Sequence, residues 1–485
     1  MAKLGSRDNS AKSLPRAHLL IGGQWRDAAN YYQVKDPYRR EVIGEAPQAD
    51  LSDLDDAIRA AATARPAAAA VPGYKRAEML RRVGSLLQQR ADDIATTMAK
   101  ETGKAIKDAN AEVLRSLDTI SLSAEEAIRI EGEHVPLDGS EMGAGKLAIL
   151  MRFPVGVVGA ITPFNAPVNL MCHKLAPAIA AGNTVVLKPP PQAPLTVHKA
   201  VEVFVDAGLP SGFINVVYGG RNIGQALVRD PRVDFVSFTG STHAGRDIAA
   251  SIGLRRAALE LGGNGPTIVH LDADVSAAAA ACARSATRLA GQSCLSVQNI
   301  FVHSGVKDRF VEEMATHLRK LRVGDPLEQT TDVGTLIDEE AAKRVELWVN
   351  EAVVAGAQIV TGGQRNVAQM QPTLLVNVKP DMTIVCEEVF GPIASVISYE
   401  NIAEAFEFVS ASKYALHCGL FTRSNEITFR AIREIRTGGL IVNGTCTWRT
   451  DQLAYGGIRA SGVGREGPRY AIREMTDQKL VVFNL

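Results

Sequence analysis

The sequence lacks a net charge, because 53 lysine and arginine side chains oppose 53 aspartate and glutamate side chains over 485 residues. Without a net field, nothing draws the chain to nucleic acid or to an anionic membrane surface, so we expect neither partner. The sequence also lacks a run of 18 apolar residues, and its N-terminus lacks an uninterrupted apolar segment. These absences predict no membrane span and no signal peptide.

Cysteines are few and show no pairing pattern. The sequence has no C-x-x-C pair and none of the dense cysteine spacing of a secreted disulfide scaffold, so we expect a reducing compartment and a cytoplasmic protein. No cluster of His, Cys, Asp and Glu has the spacing of metal ligands, so no metal is predicted. The six cysteines are Cys172, Cys282, Cys294, Cys386, Cys418 and Cys446.

A length of 485 residues exceeds what one hydrophobic core usually serves, which favours two or three domains. Residues 1–17 are polar and aperiodic. Two alternating stretches follow them and predict paired strands, HLLIGGQWRDA and YQVKDPYRREVIGEAP. Leucines and alanines at helical spacing then predict a helical layer from Asp50 to about Ile128.

Two alternations of strands and helices come next. The first runs from VGVVGAIT through TVVLK, FINVVYG and VDFVSFTG to AALELGG, and the second from PTIVHLD through NIFVHS and AQIVTGG to GGLIVNG. Short β-branched runs separated by helices predict parallel sheets covered on both faces. The sequence therefore predicts two consecutive α/β domains with a boundary near Gly262.

The first of these domains lacks the G-x-G-x-x-G fingerprint of dinucleotide-binding sheets, since GGRNIG and GSTHAG have the wrong spacing. It has instead VVLKPPP, a strand that ends at Lys188, and FTGSTHAGR, a strand that enters a helix through Gly240 and Ser241. The bare amides of a helix N-terminus are a phosphate site whatever the glycine spacing. An ordinary strand-to-helix turn that needs glycine for its backbone angles fits equally well at this point.

Eight short motifs occur in a fixed order from Ile21 onward: TPFNAP, GNTVVLKPPP, GLPSGFINVV, FTGSTHAGR, LELGGNGP, GQSC, EEVFGP and YGGIRASGVGREG. Together they resemble the aldehyde dehydrogenase superfamily. The tail WRTDQLAYGGIRASGVGREGPRYAIREMTDQKLVV is most similar to the branch that contains lactaldehyde and phosphonoacetaldehyde dehydrogenases.

The resemblance implies an α/β fold of two consecutive doubly wound, Rossmann-like parallel-sheet domains and a small β oligomerisation element. It divides the chain into an NAD(P)-binding domain, a catalytic domain and the oligomerisation element. The first comprises residues 18–131 and 153–261, the second residues 262–462, and the third residues 132–152 and 463–485. The third element has the alternating apolar character of edge strands, which invites pairing with another chain. The resemblance implies that such elements join across subunits, so we expect a homodimer or homotetramer.

Cys294 has two interpretations. A lone cysteine is usually inert packing, and Cys172, Cys282 and Cys418 fit that interpretation in their apolar patterns. Cys294 instead follows Gly291, Gln292 and Ser293, outside the helical phase. The resemblance makes Cys294 the nucleophile.

Two further residues receive catalytic roles from the resemblance. It makes Asn165 of TPFNAP an oxyanion donor together with the Cys294 backbone amide, whereas on its own Asn165 would be a turn residue between prolines. It makes Glu260 of LELGG the general base that activates water for hydrolysis. On its own Glu260 would be a solvent-facing strand end. Because the acylating relatives lack this carboxylate, a free carboxylic acid is the expected product.

The resemblance also implies which residues bind the cofactor, NAD or NADP. Pro191 occupies the position at which many NAD-preferring relatives have a glutamate. A proline side chain neither accepts a hydrogen bond from the ribose 2′-hydroxyl of NAD nor repels the 2′-phosphate of NADP. We therefore predict that the enzyme uses both cofactors and prefers NADP. As alternatives, Glu388 fits an ordinary loop acid and Phe390 fits core packing. The predicted cofactor residues are Thr162, Phe164, Lys188, Pro191, Gly240, Ser241, Glu388 and Phe390.

The aldehyde itself is not identified by the sequence. Arg115 and Arg449 are candidate anion anchors, because a guanidinium suits a carboxylate or phosphonate, although a solvated surface charge fits each as well. Ser293 and Ala166 replace the basic residue and the histidine expected in phosphonoacetaldehyde enzymes, which disfavours that substrate. The residues expected to line the aldehyde tunnel are Leu170, His173, Ser293, Leu295, Trp448 and Tyr455, with a packed helical histidine as the alternative for His173.

The predicted function is therefore the NAD(P)-dependent oxidation of a small-molecule aldehyde to a carboxylic acid. Two alternatives stay open at this point. One is a dehydrogenase that transfers the acyl group to coenzyme A, and the other is a non-catalytic binding or structural protein of the same fold. A chain freed from catalysis has no physical need to keep Asn165, Glu260, Cys294 and Glu388 together, which favours the enzyme.

Overall fold

The computed structural model of the protein describes residues 14–485. The predicted polar N-terminal segment, residues 1–17, lies mostly outside the described residues. The chain then forms two hairpins, in agreement with the two alternating stretches of the sequence. Their strands are β1 (Leu19–Ile21), β2 (Gln24–Arg26), β3 (Asn30–Lys35) and β4 (Val42–Gln48).

A helical layer follows the hairpins, as the leucine and alanine spacing predicts. The first helix begins where Asp50 accepts hydrogen bonds from the amides of Ser52 and Asp53, which are free at a helix start. Leu54 and Ile58 lie on its buried face. The helices are α1 (Leu51–Ala70), α2 (Gly73–Gln89), α3 (Ala91–Thr102) and α4 (Ile106–Ala127).

The first large sheet has the strand order β2-β1-β9-β8-β7-β10-β11-β23. Strands β7 to β11 are parallel, and β1, β2 and β23 add antiparallel edges. Its central strands are buried along their whole length, which fits their Val- and Ile-rich sequences. In chain order the elements are β5 (Glu133–Val135), β6 (Lys146–Pro154), β7 (Val157–Ile161), α5 (Pro167–Ala181), β8 (Thr184–Lys188), α6 (Pro194–Asp206), β9 (Ile214–Val216), α7 (Arg221–Arg229), β10 (Phe235–Thr239), α8 (Thr242–Ser251) and β11 (Arg256–Glu260).

The second large sheet has the order β14-β17-β18-β13-β12-β20-β21, parallel except for β14. The alanine tract forms a packed helix, as predicted, with Ala278, Ala279 and Ala283 buried. In chain order the elements of this part of the chain are β12 (Thr267–Val269), α9 (Val275–Thr287), β13 (Asn299–His303), α10 (Ser304–Arg319), α11 (Glu339–Val354), β14 (Gln358–Thr361), β15 (Arg365–Asn366), β16 (Gln369–Met370), β17 (Thr373–Val376), α12 (Thr383–Cys386), β18 (Ile393–Tyr399), α13 (Ile402–Ala411), β19 (Tyr414–Ala415), β20 (His417–Phe421), α14 (Asn425–Glu434), β21 (Gly439–Val442) and β22 (Ile458–Arg459). Strands β15 and β16 pair with each other, as do β19 and β22, in two separate small sheets.

The chain ends with β23 (Gly462–Val463), α15 (Pro468–Glu474) and β24 (Thr476–Asn484). Strand β23 returns to the first sheet beside β11. Strand β24 pairs along its whole length with β6, and β6 pairs with β5, in a separate three-stranded sheet. The expectation of an α/β fold with two parallel-sheet domains is confirmed. Over residues 14–485 no helix combines the length and apolarity needed to span a membrane.

Candidate active site

A cavity of about 540 Å³ opens between the two large sheets. At the carboxyl edge of the first sheet, Ile161 pairs with Lys188 and Thr239 pairs with Glu260, so these strand ends share one rim. The facing rim consists of loops that precede strands of the second sheet, before β13 and β18. Ligands bind at the carboxyl edge of open α/β sheets, and this cavity occupies that position.

Most of the residues predicted from the sequence lie on the wall of this one cavity. His173 and Trp448 are the two that do not. The predicted residues on the wall are Arg115, Thr162, Phe164, Asn165, Leu170, Lys188, Pro191, Gly240, Ser241, Glu260, Ser293, Cys294, Leu295, Glu388, Phe390, Arg449 and Tyr455.

Cys294 follows a strained piece of backbone. After α9, a short 3₁₀ turn (Arg288–Gly291) has left-handed φ angles at Leu289 (55°) and Ala290 (52°), where side chains are disfavoured. Gly291 allows the closest approach, because a Cβ there would lie 2.0 Å from the carbonyl oxygen of Gly391. This turn brings the cysteine loop against the loop that carries Glu388 and Phe390. Strain of this kind is concentrated at functional sites.

The Cys294 sulfur is partly exposed to the cavity, and the hydroxyl oxygen of Tyr455 lies 3.2 Å from it. Burial raises the pKa of the Cys294 thiol to about 12. Cys172, Cys282 and Cys418 are fully buried, as expected for packing residues. Cys294 is thus the cysteine of the cavity wall, and its thiolate needs stabilisation by neighbouring groups.

Glu260 is 3 % exposed, and neither of its carboxylate oxygens has a hydrogen-bond partner in the described residues. Burial, and then the nearby Glu466, raise the pKa of Glu260 well above its ordinary value. Two glycines follow it. A Cβ on Gly262 would lie 2.5 Å from the Glu388 carboxylate, and one on Gly263 would lie 2.4 Å from the Cys294 carbonyl oxygen. The glycines therefore let both facing loops approach this strand end.

Asn165 lies in the loop between β7 and α5. Its side-chain nitrogen donates to the carbonyl oxygen of Gln292 at 2.9 Å, two residues before Cys294. Helix α5 has no capping side chain of its own, and the Glu112 carboxylate accepts from the amides of Val168 and Asn169 instead. The buried ammonium of Lys104 pairs with Glu112. This ion pair fixes the start of α5 behind Asn165.

One half of the cavity has the groups that suit a dinucleotide. The Lys188 ammonium is buried and donates to the carbonyl oxygen of Pro189 at 3.2 Å, and burial lowers its pKa to about 8. Gly240 and Ser241 line the wall at the start of α8, where the Ser241 hydroxyl accepts from the Ala244 amide. Free amides at a helix N-terminus and a cation with one backbone partner fit a phosphate and ribose group.

The other end of this half contains a carboxylate and two aromatic rings. The Glu388 carboxylate accepts from the Gly263 amide at 3.2 Å, and burial raises its pKa to about 7. The rings of Phe164 and Phe390 meet edge to face, with centroids 5.9 Å apart. Phe390 has a left-handed φ of 52°, so its backbone is held by the surrounding packing.

Four arginines line the cavity, and the two predicted as anion anchors each have a carboxylate partner. The four are Arg115, Arg288, Arg344 and Arg449. Arg115 donates to Asp451 through Nη2 at 2.6 Å and through Nε at 3.2 Å. Thr119 also donates to Asp451. Although burial opposes its charge, the contacts of Asp451 with His173 and Arg115 hold its pKa well below the ordinary value. Arg449 pairs with Glu466 at 3.2 Å.

The structure differs from the sequence-based expectation at His173 and Trp448. His173 is fully buried behind the wall, between Asp451 and Arg449, which fits the packed helical histidine weighed as its alternative. Trp448 is 55 % exposed and is not among the residues that line the cavity. Both residues were predicted because they lie close in the sequence to other residues of the site, and closeness in the sequence does not fix the direction of a side chain.

Sequence reasoning missed Asp451, Glu466 and Glu112, which hold the arginines and α5. Asp451 stands two residues after Arg449, and Glu466 stands in GVGREG, so both were inside motifs already quoted. Nothing in the sequence reveals that Glu112 meets Val168. Over residues 14–485 no group of three or more His, Cys, Asp and Glu side chains is placed to hold a metal ion.

Comparison with known proteins agrees with this geometry. Residues 25–481 match the aldehyde dehydrogenase family. The chain is 42 % identical over 468 residues to 3-sulfolactaldehyde dehydrogenase of Priestia megaterium, covering 96 % of this chain and 98 % of the relative. It is 34 % identical over 471 residues to lactaldehyde dehydrogenase of Methanocaldococcus jannaschii, covering 96 % and 100 %.

A solved structure also has a very similar fold. The NADP-dependent glyceraldehyde-3-phosphate dehydrogenase of Bacillus halodurans, complexed with NADP, superposes with a TM-score of 0.95 at 33 % identity, covering 97 % of this chain and 99 % of that one. The chain therefore belongs to the aldehyde dehydrogenase family. It is an NAD(P)-dependent enzyme that oxidises an aldehyde to a carboxylic acid, and the coenzyme A and non-catalytic alternatives are not supported.

Proposed function

We propose that this enzyme oxidises a short aldehyde that carries an anionic group, with Cys294 as nucleophile, Glu260 as general base and Asn165 as oxyanion donor. The observation that carries the substrate class is the Arg115 guanidinium on the wall of the cavity that Cys294 shares. Two relatives act on anionic aldehydes by name, one on a sulfonate and one on a phosphate. The lactaldehyde dehydrogenase shows that a neutral hydroxyaldehyde is the competing class.

In the first half-reaction the Cys294 thiolate attacks the aldehyde carbon, and a carbon–sulfur bond forms. The negative charge passes to the former carbonyl oxygen, where the second hydrogen of the Asn165 amide and the Cys294 backbone amide donate. Bound nicotinamide supplies the acceptor for the hydride that leaves this thiohemiacetal. A thioester on Cys294 remains.

In the second half-reaction water cleaves the thioester. Glu260 accepts a proton from that water, so that hydroxide adds to the acyl carbon and the thiolate of Cys294 leaves. The absence of a hydrogen-bond partner on either oxygen of Glu260 within residues 14–485 supports this role, because a carboxylate committed to protein donors is a weaker base.

Cofactor binding is proposed to follow the same cavity. Lys188 would hold the adenosine ribose, Gly240 and Ser241 the pyrophosphate, and Glu388 with Phe390 the nicotinamide end. Thr162 and Phe164 border the same half, and Pro191 borders the ribose. Pro191 and Lys188 support a preference for NADP over NAD.

The assembly is proposed to be a homodimer or homotetramer. Strand β24 is an edge strand with exposed Leu480, Val482 and Phe483. A long apolar edge is a template for pairing with another chain. The domain division 18–131 with 153–261, 262–462, and 132–152 with 463–485 is proposed alongside it, as is a reducing cytoplasmic setting for the six free thiols.

The test is a panel of matched aldehydes, followed by absorbance of the reduced cofactor. Each anionic aldehyde, carrying a sulfonate, a carboxylate or a phosphate, is paired with a neutral one of similar length. We expect the anionic member of at least one pair to have the higher kcat/KM by tenfold or more, which is about 1.4 kcal/mol. A neutral hydroxyaldehyde that surpasses all anionic ones would overturn the substrate class and leave the oxidation itself intact.

A further inference from the structure

The Tyr455 hydroxyl has one hydrogen-bond partner among residues 14–485, the sulfur of Cys294, at 3.2 Å. Tyr455 is 3 % exposed, and its ring packs with Leu295 and Leu416. A buried hydroxyl without a partner is costly, and a phenylalanine of the same shape would avoid that cost. Packing therefore accounts for an aromatic ring at position 455, but it does not account for the hydroxyl group of Tyr455.

The phenol is the donor in this contact once the sulfur is ionised, because a thiolate has no hydrogen to give. Burial, and then the nearby Cys294 sulfur, raise the pKa of Tyr455 well above its usual range. The phenol thus keeps its proton at the pH values at which an enzyme works. The same contact lowers the pKa of Cys294 and so opposes the larger effect of burial.

A cation lies on the face of the tyrosine ring. The Arg449 guanidinium carbon is 3.7 Å from the ring centroid, and Arg449 is itself held by Glu466. His417 meets the ring edge to face, with centroids 5.2 Å apart. A cation over the ring face is attracted by its electrons and draws them away from the oxygen. This arrangement makes the hydroxyl hydrogen a better donor.

The other charged groups around Cys294 partly cancel. Glu388 and Glu260 raise the pKa of its thiol, and Arg449 lowers it. Within residues 14–485 the Tyr455 hydroxyl is the one group with a hydrogen bond to the sulfur. A direct hydrogen bond to a charged atom outweighs a charge that is not in contact.

We propose that Tyr455 is a further catalytic residue, whose hydroxyl donates a hydrogen bond to the Cys294 thiolate and so increases the ionised fraction of the nucleophile before the aldehyde arrives. The proposal rests on the nucleophilic role of Cys294 proposed above. The thiol proton leaves to water before the attack, and Tyr455 retains its own proton throughout. As the carbon–sulfur bond forms, the charge moves from sulfur to the aldehyde oxygen.

A lower pKa makes a thiolate less reactive, so the two effects have to be compared. Each unit of lowering increases the ionised fraction tenfold below the pKa, whereas reactivity falls with a Brønsted slope of about 0.4–0.5. The net gain is about threefold per unit. The hydrogen bond therefore accelerates the attack at pH values below the pKa of the thiol.

The experiment measures the rate of alkylation of the cofactor-free enzyme by iodoacetamide between about pH 7 and pH 10, below the raised pKa of the Cys294 thiol, with each cysteine quantified by peptide mass. At these pH values the rate follows the ionised fraction of the thiol. Tyr455→Phe removes one oxygen and leaves the ring. Loss of one hydrogen bond to a charged group raises the thiol pKa by about one to two units, so we expect the Cys294 rate to fall by about three- to tenfold at each pH. Cys386 is exposed and serves as the internal reference, so its profile should not move.

A matched control is Tyr399→Phe. Tyr399 is also buried and uses its hydroxyl, but its partners are His270 at 3.0 Å and the carbonyl oxygen of Val269 at 3.3 Å, beyond the opposite end of the second sheet. This variant should leave the Cys294 profile unchanged. A Cys294 alkylation rate that does not fall in Tyr455→Phe overturns the proposal, and so does an equal fall in both tyrosine variants.

A second replacement works in the opposite direction and does not depend on the stability of Tyr455→Phe. 3-Fluorotyrosine at position 455 keeps the shape and has a more acidic phenol, which is a stronger hydrogen-bond donor, so the Cys294 alkylation rate below the pKa should rise. A rate that falls or stays would overturn the proposal. Cys294→Ser tests the nucleophile assignment separately. Turnover in that variant would overturn the proposed function, whatever the results with the tyrosine variants.

Discussion

The side-chain nitrogen of Asn165 lies 2.9 Å from the carbonyl oxygen of Gln292, and this bond joins the loop after β7 to the loop that carries Cys294. An amide nitrogen carries two hydrogens. Because Gln292 holds one of them, the direction of the other is fixed before any substrate binds. A fixed donor costs no reorganisation when charge develops on a substrate oxygen.

Cys294→Ser should abolish aldehyde oxidation, because a hydroxyl with no strong base in contact is a far poorer nucleophile than a thiolate. We expect kcat to fall by at least about 10²-fold, measured from the absorbance of reduced cofactor. Binding of NADP, measured by calorimetry, should be unchanged. Cys386→Ser, at an exposed thiol, is the control and should retain full activity. Turnover above a few per cent in Cys294→Ser would contradict the assignment.

Glu260→Gln should form the acyl-enzyme and then stall, because the hydrolytic water loses its base. A burst of reduced cofactor, stoichiometric with enzyme, should precede a steady state slowed about 10²–10⁴-fold. The raised pKa of Glu260 also predicts the direction in which the hydrolysis rate of the wild-type enzyme changes with pH. Its base form is lost as pH falls through that raised pKa, so hydrolysis should decrease on the acid side well above the usual carboxyl range. A wild-type steady state that is flat down to pH 5 would count against Glu260.

Pro191→Glu should move the cofactor preference toward NAD. The new carboxylate would accept from a ribose 2′-hydroxyl and repel a 2′-phosphate. The parent enzyme should use both cofactors and favour NADP in kcat/KM, and the variant should lose at least about tenfold in NADP relative to NAD. The adenosine placement would be wrong if the variant used NADP as well as its parent.

Arg115→Gln should weaken the use of an anionic aldehyde and spare a neutral one of equal length. Loss of a charge-assisted hydrogen-bond pair corresponds to about 10- to 100-fold in kcat/KM, and Asp451, left without its cation, would add repulsion. Arg129→Gln is the control, because Arg129 is an exposed residue just beyond the far end of the same helix. Equal losses on charged and neutral aldehydes would mean that Arg115 supports the fold rather than the substrate.

Assembly should depend on β24. Sedimentation at micromolar concentration should give a dimer or a larger species. Replacing two exposed side chains of that strand, Leu480→Glu with Val482→Glu, should shift it toward a monomer, because charges on an edge strand oppose pairing. A stable monomer of the parent chain would exclude the oligomer.

The fold was largely predictable because its signals are local. Alternation of VGVVGAIT, TVVLK and VDFVSFTG with amphipathic segments predicts parallel strands, and these became β7, β8 and β10. The short strand Gly462–Val463 was not predictable. Two residues carry no periodicity, and its pairing partner at Glu260 is remote in sequence.

The reactive residues of the candidate site were predictable from the sequence, whereas the residues that hold other side chains and helices in place were not. Cys294, Glu260 and Asn165 stand in motifs whose residue types suggest chemistry. Asp451 and Glu112 act through contacts with helices α4 and α5. Such contacts depend on how elements pack, and no spacing in the sequence encodes them. The buried position of His173 and the place of Trp448 outside the cavity lining have the same cause.

The pairing of Glu260 with Gly462 also has a consequence for the order of events during synthesis. The ribosome makes strand β11 long before its edge partner, which emerges about 200 residues later. Until then the strand that ends in Glu260 is an open edge on a nascent chain, and the long loop must close before the sheet is complete. The edge beside Glu260 is therefore completed only after residue 462 has been made. A chain that stops short of residue 462 would leave that edge open for aggregation.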